Sequence, residues 1–110
     1  MLGKHVFGAV YDCNKKYLDD PELLIKLLEE GAAKAGATDI QTIHKHFTPQ
    51  GVTVLTLLSE SHISIHTWPE KGEAAIDIFT CGTKCNPMDG VLHIIKALDP
   101  ASYSVESVDR

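Results

Sequence analysis

Three strand-like segments follow one another between Val52 and Cys81 with almost nothing between them. Val52 to Ser59 is nearly all apolar or β-branched. His62 to Trp68 alternates, with Ile63, Ile65 and Thr67 on one side and His62, Ser64, His66 and Trp68 on the other. Glu73 to Thr80 alternates again: Ala74, Ile76 and Ile78 oppose Ala75, Asp77 and Phe79, and Cys81 continues the Asp77 side. A period of two is the geometry of a strand. The connections, Glu60-Ser61 and Pro69 to Gly72, are too short for the crossover that parallel strands need, so this part of the sheet must be antiparallel. The unbroken apolar run from Val52 suits a strand covered on both faces.

The remaining elements follow from simpler signals. Lys4 to Asp12 is rich in β-branched and aromatic residues and reads as a first strand. Asp20-Pro21 opens a helix, with Asp20 as N-cap and Pro21 at the first helical position. Leu23, Leu24, Leu27, Leu28 and Ala32 form its apolar stripe, and Gly36 stops it. Thr38 to Phe47 is a strand, followed by a tight turn at Pro49-Gln50-Gly51. Pro87 to Leu98 is a second helix that buries Val91, Leu92, Ile94, Ile95 and Leu98, and Ser102 to Val108 is a last strand. The order β-α-β-β-β-β-α-β implies an α+β two-layer sandwich, a mainly antiparallel sheet with two helices on one face. The other face carries Trp68, Phe79 and several histidines. A second copy of the chain is its simplest cover.

One domain is expected over residues 1–110. A net charge of −5 argues against nucleic-acid and anionic-membrane partners. The apolar runs are far shorter than a membrane span and the N-terminus lacks a secretory core, so a cytoplasmic location is expected. Three cysteines, Cys13, Cys81 and Cys85, do not make a disulfide framework. Cys85 reads as a loop cysteine, whereas Cys81, at a strand end before Gly82, is the better working thiol.

The chemistry gathers in Ser59 to Glu70. There is no Gly-x-Ser-x-Gly elbow and no ordered triad. Taken singly, Ser61 could be a strand-edge serine bonded to a turn. Its setting also suits a serine that attacks its own backbone, with Glu60 supplying the carbonyl, His66 a nearby general base, and strain in the turn helping cleavage. A metal is not expected. His62 and His66 would sit about 13 Å apart along a strand, and His44 and His46 lack further ligands at motif spacing. Trp68 with Glu70, and Phe47 beside Pro49, suit a planar base and the hydroxyls of a ribose, unless both rings are core.

The block Ser59-Glu60-Ser61-His62-x-Ser64-Ile65-His66-Thr67-Trp68-Pro69-Glu70, with Ala75-Ile76-Asp77-x-Phe79-Thr80-Cys81-Gly82, resembles the prokaryotic S-adenosylmethionine decarboxylase proenzymes. Gly3-Lys4-His5 and His44-Lys45-His46-Phe47-x-Pro49-x-Gly51-Val52 extend the resemblance over most of the chain to Gly82. It implies that Ser61 attacks the Glu60 carbonyl in an N-to-O acyl shift and that His66 takes the Cα proton of Ser61. Thr53 holds the family's supporting hydroxyl, where serine is more usual. Cleavage would leave a β chain, 1–60, and an α chain, 61–110, that begins with a pyruvoyl cofactor made from Ser61.

The resemblance further implies decarboxylation of S-adenosylmethionine, a step of polyamine biosynthesis, through a Schiff base with the pyruvoyl group. Cys81 would reprotonate the substrate carbon, Phe47 and Trp68 would flank adenine, and Glu70 would hold the ribose. The cleaved αβ protomers would pair as a homodimer, sheet on sheet. Ala9 stands where a glutamate is expected, and the loop after Cys81 carries Lys84 and Cys85. An acid at position 9 would help to recognise a sulfonium cation. L-arginine or L-ornithine is therefore the alternative substrate, and a non-cleaving homologue the alternative role.

Overall fold

The computed structural model describes residues 2–110. Six strands, β1 (Gly3–Tyr11), β2 (Asp39–His46), β3 (Val52–Leu58), β4 (Ser61–Trp68), β5 (Glu73–Cys81) and β6 (Ser102–Asp109), form one sheet in the order β2-β3-β4-β5-β1-β6. Every neighbouring pair is antiparallel. The first strand fills the gap between β5 and β6. Helices α1 (Lys15–Leu18), α2 (Pro21–Ala35) and α3 (Pro87–Leu98) complete the chain. The expected α+β two-layer architecture is the one observed.

Local signals explain the helices. The Asp20 side chain accepts from the Leu23 N–H, Pro21 occupies the first turn, and Gly36 closes α2 with a left-handed φ of 74°. Short α1 has no apolar period that could be read from sequence. Its cap is Asn14, which accepts from the Lys16 N–H.

The core lies between the helices and one face of the sheet. Leu24 and Leu28 of α2 and Val91, Ile94 and Leu98 of α3 meet Ile63, Ile65, Ile76 and Ile78. Burying each such side chain contributes roughly 1.5–3 kcal/mol. The two helices approach at Gly31 and Gly90. A Cβ at Gly90 would lie 2.7 Å from the Gly31 carbonyl oxygen.

Two expectations need correction. Val52 to Leu58 is covered on one face only within a protomer: Val52, Val54 and Leu58 are buried, while Leu55 and Leu57 are 42% and 50% exposed. The core needs only one face of β3, so the apolar residues of the other face wait for a different cover. Leu92 is likewise exposed, because its position on α3 falls outside the stripe formed by Val91, Ile94, Ile95 and Leu98. The uncovered sheet face presents Ile43, Leu55 and Leu57 beside Phe47 and Trp68, all exposed. Among the described residues, no helix is long and apolar enough to cross a membrane.

Candidate active site

The two ends of β4 carry different chemistry. At its start, Ser59 and Glu60 form the turn from β3, and Ser61 opens the strand. The Glu60 carboxylate accepts from the Thr38 backbone N–H at 2.9 Å, which pins the turn. The Glu60 carbonyl accepts from the Cys81 backbone N–H at 2.8 Å. Ser61 has φ of 150°, a backbone state that residues with a Cβ rarely adopt and that costs on the order of 1–3 kcal/mol. The linkage is thus gripped on its carbonyl side and strained at the serine.

A cavity of about 380 Å³ opens here, lined by Glu60, Cys81 and Cys85 among others. Cys81 is exposed; Cys85 is buried. Burial, then the Glu60 carboxylate and Cys81, pushes the Cys85 thiol up, and its Sγ–H points to the Gly36 carbonyl at 3.6 Å. Cys85 therefore stays a protonated structural thiol, and Cys81 is the accessible one.

At the far end of β4 a second cleft, about 300 Å³, is lined by Phe47, Thr53, His66, Trp68 and Glu70. The Thr53 hydroxyl lies 3.1 Å from His66 Nδ1, as their direct pairing across β3 and β4 dictates. Phe47 and Trp68 are 46% and 43% exposed, so neither ring is core. The Pro49–Gly51 turn that frames this cleft is tied back by Asp19, which accepts from the Gly51 N–H and from His46 Nε2, both at 2.9 Å. Those bonds, the Gly51 one foremost, hold the Asp19 carboxyl below its ordinary value.

The sequence-derived residues therefore fall into two groups. Glu60, Ser61 and Cys81 share one end of the sheet; Phe47, Thr53, His66, Trp68 and Glu70 share the other. His66 does not reach Ser61 within one protomer. Five residues of extended strand separate them by about 16 Å. Nearness in sequence misled because a strand converts each residue into distance, where a turn or helix would have folded it back.

The structure also gives contacts to a residue of the quoted block that the sequence left without a role. Asp77, half-buried on β5, accepts from His5 Nε2 and His62 Nε2, both at 2.9 Å, and from the Ser64 hydroxyl. Burial works to raise its carboxyl, but these hydrogen bonds outweigh burial and hold it below its ordinary value. A carboxylate inside an otherwise apolar strand was the available signal, since aspartate is depleted there. The buried Thr80 hydroxyl, opposite Ser61 in the ladder, is without a hydrogen-bond partner among the described residues. A new acceptor formed from Ser61 would have a donor at hand.

Comparison with known proteins bears on the fold and the family. The crystal structure of the adenosylmethionine decarboxylase from Aquifex aeolicus VF5 superposes with a TM-score of 0.90 at 36% identity, covering 99% of this chain and 90% of that one. A Trypanosoma brucei AdoMetDC structure shares the fold, with a TM-score of 0.62 at 18% identity, covering 93% of this chain and 44% of that one. The fold is thus the two-layer α+β fold of the adenosylmethionine decarboxylases, which are carboxy-lyases. The family model described as S-adenosylmethionine decarboxylase matches residues 4–110. The S-adenosylmethionine decarboxylase proenzyme of Methanococcus aeolicus is 47% identical over 99% of this chain and 93% of its own. That of Synechococcus sp. WH7803 is 47% identical over 100% of this chain and 86% of its own. The chain belongs to the S-adenosylmethionine decarboxylase family.

Proposed function

We propose that the chain is a proenzyme that cuts itself between Glu60 and Ser61, pairs with a second copy, and decarboxylates S-adenosylmethionine for polyamine synthesis. The observation that carries this is the Glu60–Ser61 linkage itself: a strained serine beside a carbonyl already held by the Cys81 N–H. The relatives named above all carry that substrate in their names. The arginine or ornithine alternative has no comparable support. Ala9 pairs with Ala75, which pairs in turn with His66, so Ala9 lies two strands over from the His66 side of that cleft and does not line it.

A single protomer is incomplete. Its cleft with His66 lies about 16 Å from its own Ser61. A two-fold dimer that packs the uncovered sheet faces together would set the cleft of one copy against the Ser61 end of the other, twice over. The exposed Ile43, Leu55 and Leu57 give such a contact an apolar centre.

The residues present fit a pyruvoyl group derived from Ser61. Such a group supplies a ketone that captures an amine and accepts the electrons left by departing carbon dioxide. The rest belongs to the chain. Phe47 and Trp68 offer exposed ring faces for adenine. Glu70 accepts from ribose hydroxyls. The Cys81 thiol holds a proton beside the reacting carbon. His66, oriented by the Thr53 hydroxyl, removes the Ser61 Cα proton during maturation. Within this reading, residues 1–60 become the β chain and 61–110 the α chain.

The test is a substrate panel with carboxyl-labelled S-adenosylmethionine, arginine and ornithine. Label should leave S-adenosylmethionine as carbon dioxide. Release from arginine or ornithine alone overturns the substrate assignment.

A further inference from the structure

His62 and Asp77 have no part in the chemistry above, yet together they lead to the reacting hydroxyl. Asp77 Oδ2 accepts from His62 Nε2 at 2.9 Å, and His62 Nδ1 lies 3.3 Å from Ser61 Oγ. We propose that His62, oriented by Asp77, is the general base that begins self-cleavage, leaving the later Cα proton to the partner's His66. This rests on the self-cleavage proposed above.

The tautomer follows from the partners. An ionised carboxylate only accepts, so the Nε2 facing Asp77 carries the hydrogen. The neutral ring then keeps its lone pair on Nδ1, towards Ser61 Oγ. Asp77 is built to stay ionised: three donors converge on it, with His5 sharing Oδ2 and Ser64 holding Oδ1. The 3.3 Å contact is loose, as is common before a reactive geometry closes. His66 cannot serve this step in the same protomer, since the strand carries it about 16 Å away.

The step balances without any further reactant. His62 Nδ1 takes the Ser61 Oγ proton as Oγ bonds to the Glu60 carbonyl carbon. The C=O π pair moves onto that oxygen, which faces the Cys81 N–H. The centre collapses by breaking its bond to the Ser61 nitrogen, and that nitrogen recovers the proton from His62. An amide has become an isomeric ester with a free amine. Two histidines thus divide the proton traffic, one supplied by each subunit.

Hydroxylamine separates the two steps, because it splits an ester at Glu60 and leaves the peptide alone. Wild type, His66→Ala, His62→Ala and Asp77→Asn are followed by denaturing mass spectrometry with and without it. Wild type should divide unaided. His66→Ala should stay whole until hydroxylamine splits it. His62→Ala should stay whole in both conditions, with ester formation slowed about 10²-fold or more. Free imidazole should restore it. Asp77→Asn should form the ester more slowly than wild type. His62 is partly exposed, so its removal leaves the core intact.

Ester formation in His62→Ala at the wild-type rate overturns the proposal. So does a loss that imidazole does not restore, since a structural defect would then account for it. A wild-type chain that stays whole even with hydroxylamine instead overturns the self-cleavage on which the proposal rests.

Discussion

The Cys81 backbone N–H donates to the Glu60 carbonyl oxygen at 2.8 Å. One residue therefore offers two groups to one place: an amide that grips the carbonyl and a thiol that is exposed beside it. The two are separable by mutation, because the amide survives any change of side chain. Cys81→Ala should cleave at Glu60–Ser61 at a near-normal rate while turnover falls by about 10²-fold or more. Fragment mass and carbon dioxide release, measured on the same sample, check both halves. Normal turnover would remove the thiol from the proton-donor role.

A site shared between copies predicts complementation. Ser61→Ala and His66→Ala homodimers should each fail to mature. Co-expressed, they should form a mixed dimer in which the intact Ser61 of one chain meets the intact His66 of the other. The His66→Ala chain should then be cut, and the Ser61→Ala chain should not. Tagging the two chains differently lets mass spectrometry tell which was cut. No cleavage in the mixture would contradict the face-to-face arrangement.

Acid stability should depend on Asp77. Its carboxyl is held below the ordinary aspartate value of about 3.9 that it regains on unfolding. A depressed native value contributes stability that is complete above the unfolded value and disappears as pH falls through the native one. Asp77→Asn should therefore flatten the acid limb of a stability-against-pH curve below about pH 4, measured by urea unfolding. Asp19 is shifted the same way by the Gly51 N–H and then His46, so the limb should shrink without vanishing.

The α2–α3 contact gives a prediction about the fold alone. Gly90→Ala would bring a Cβ to 2.7 Å from the Gly31 carbonyl oxygen and equally near the Ile78 side chain. Backbone cannot yield as a side-chain tip can, so the helices must part. A loss of about 1–3 kcal/mol is expected, read as a fall in the thermal midpoint.

Strands and long helices were legible because their signals are local. Asp20-Pro21 and Gly36 bound α2, and the alternation of β4 and β5 named the buried side chains. Sheet order was not legible, since nothing local says that β1 inserts between β5 and β6. Leu55 and Leu57 show a related limit: an apolar strand looks the same whether its second face is covered by its own chain or by another. The site divided along the same line. Glu60, Ser61 and Cys81 come together through the β4–β5 register, and Thr53 and His66 through β3–β4. The His62–Asp77 pair is a cross-strand contact between residues fifteen positions apart, and only the register reveals it.

The most direct measurement is the denaturing mass of the purified chain beside its Ser61→Ala variant. The account predicts two fragments divided between Glu60 and Ser61, the second with a blocked, ketone-bearing first residue, and a single whole mass for Ser61→Ala with no turnover. A wild-type chain of one intact mass, or a Ser61→Ala chain that is cut and active, would contradict it.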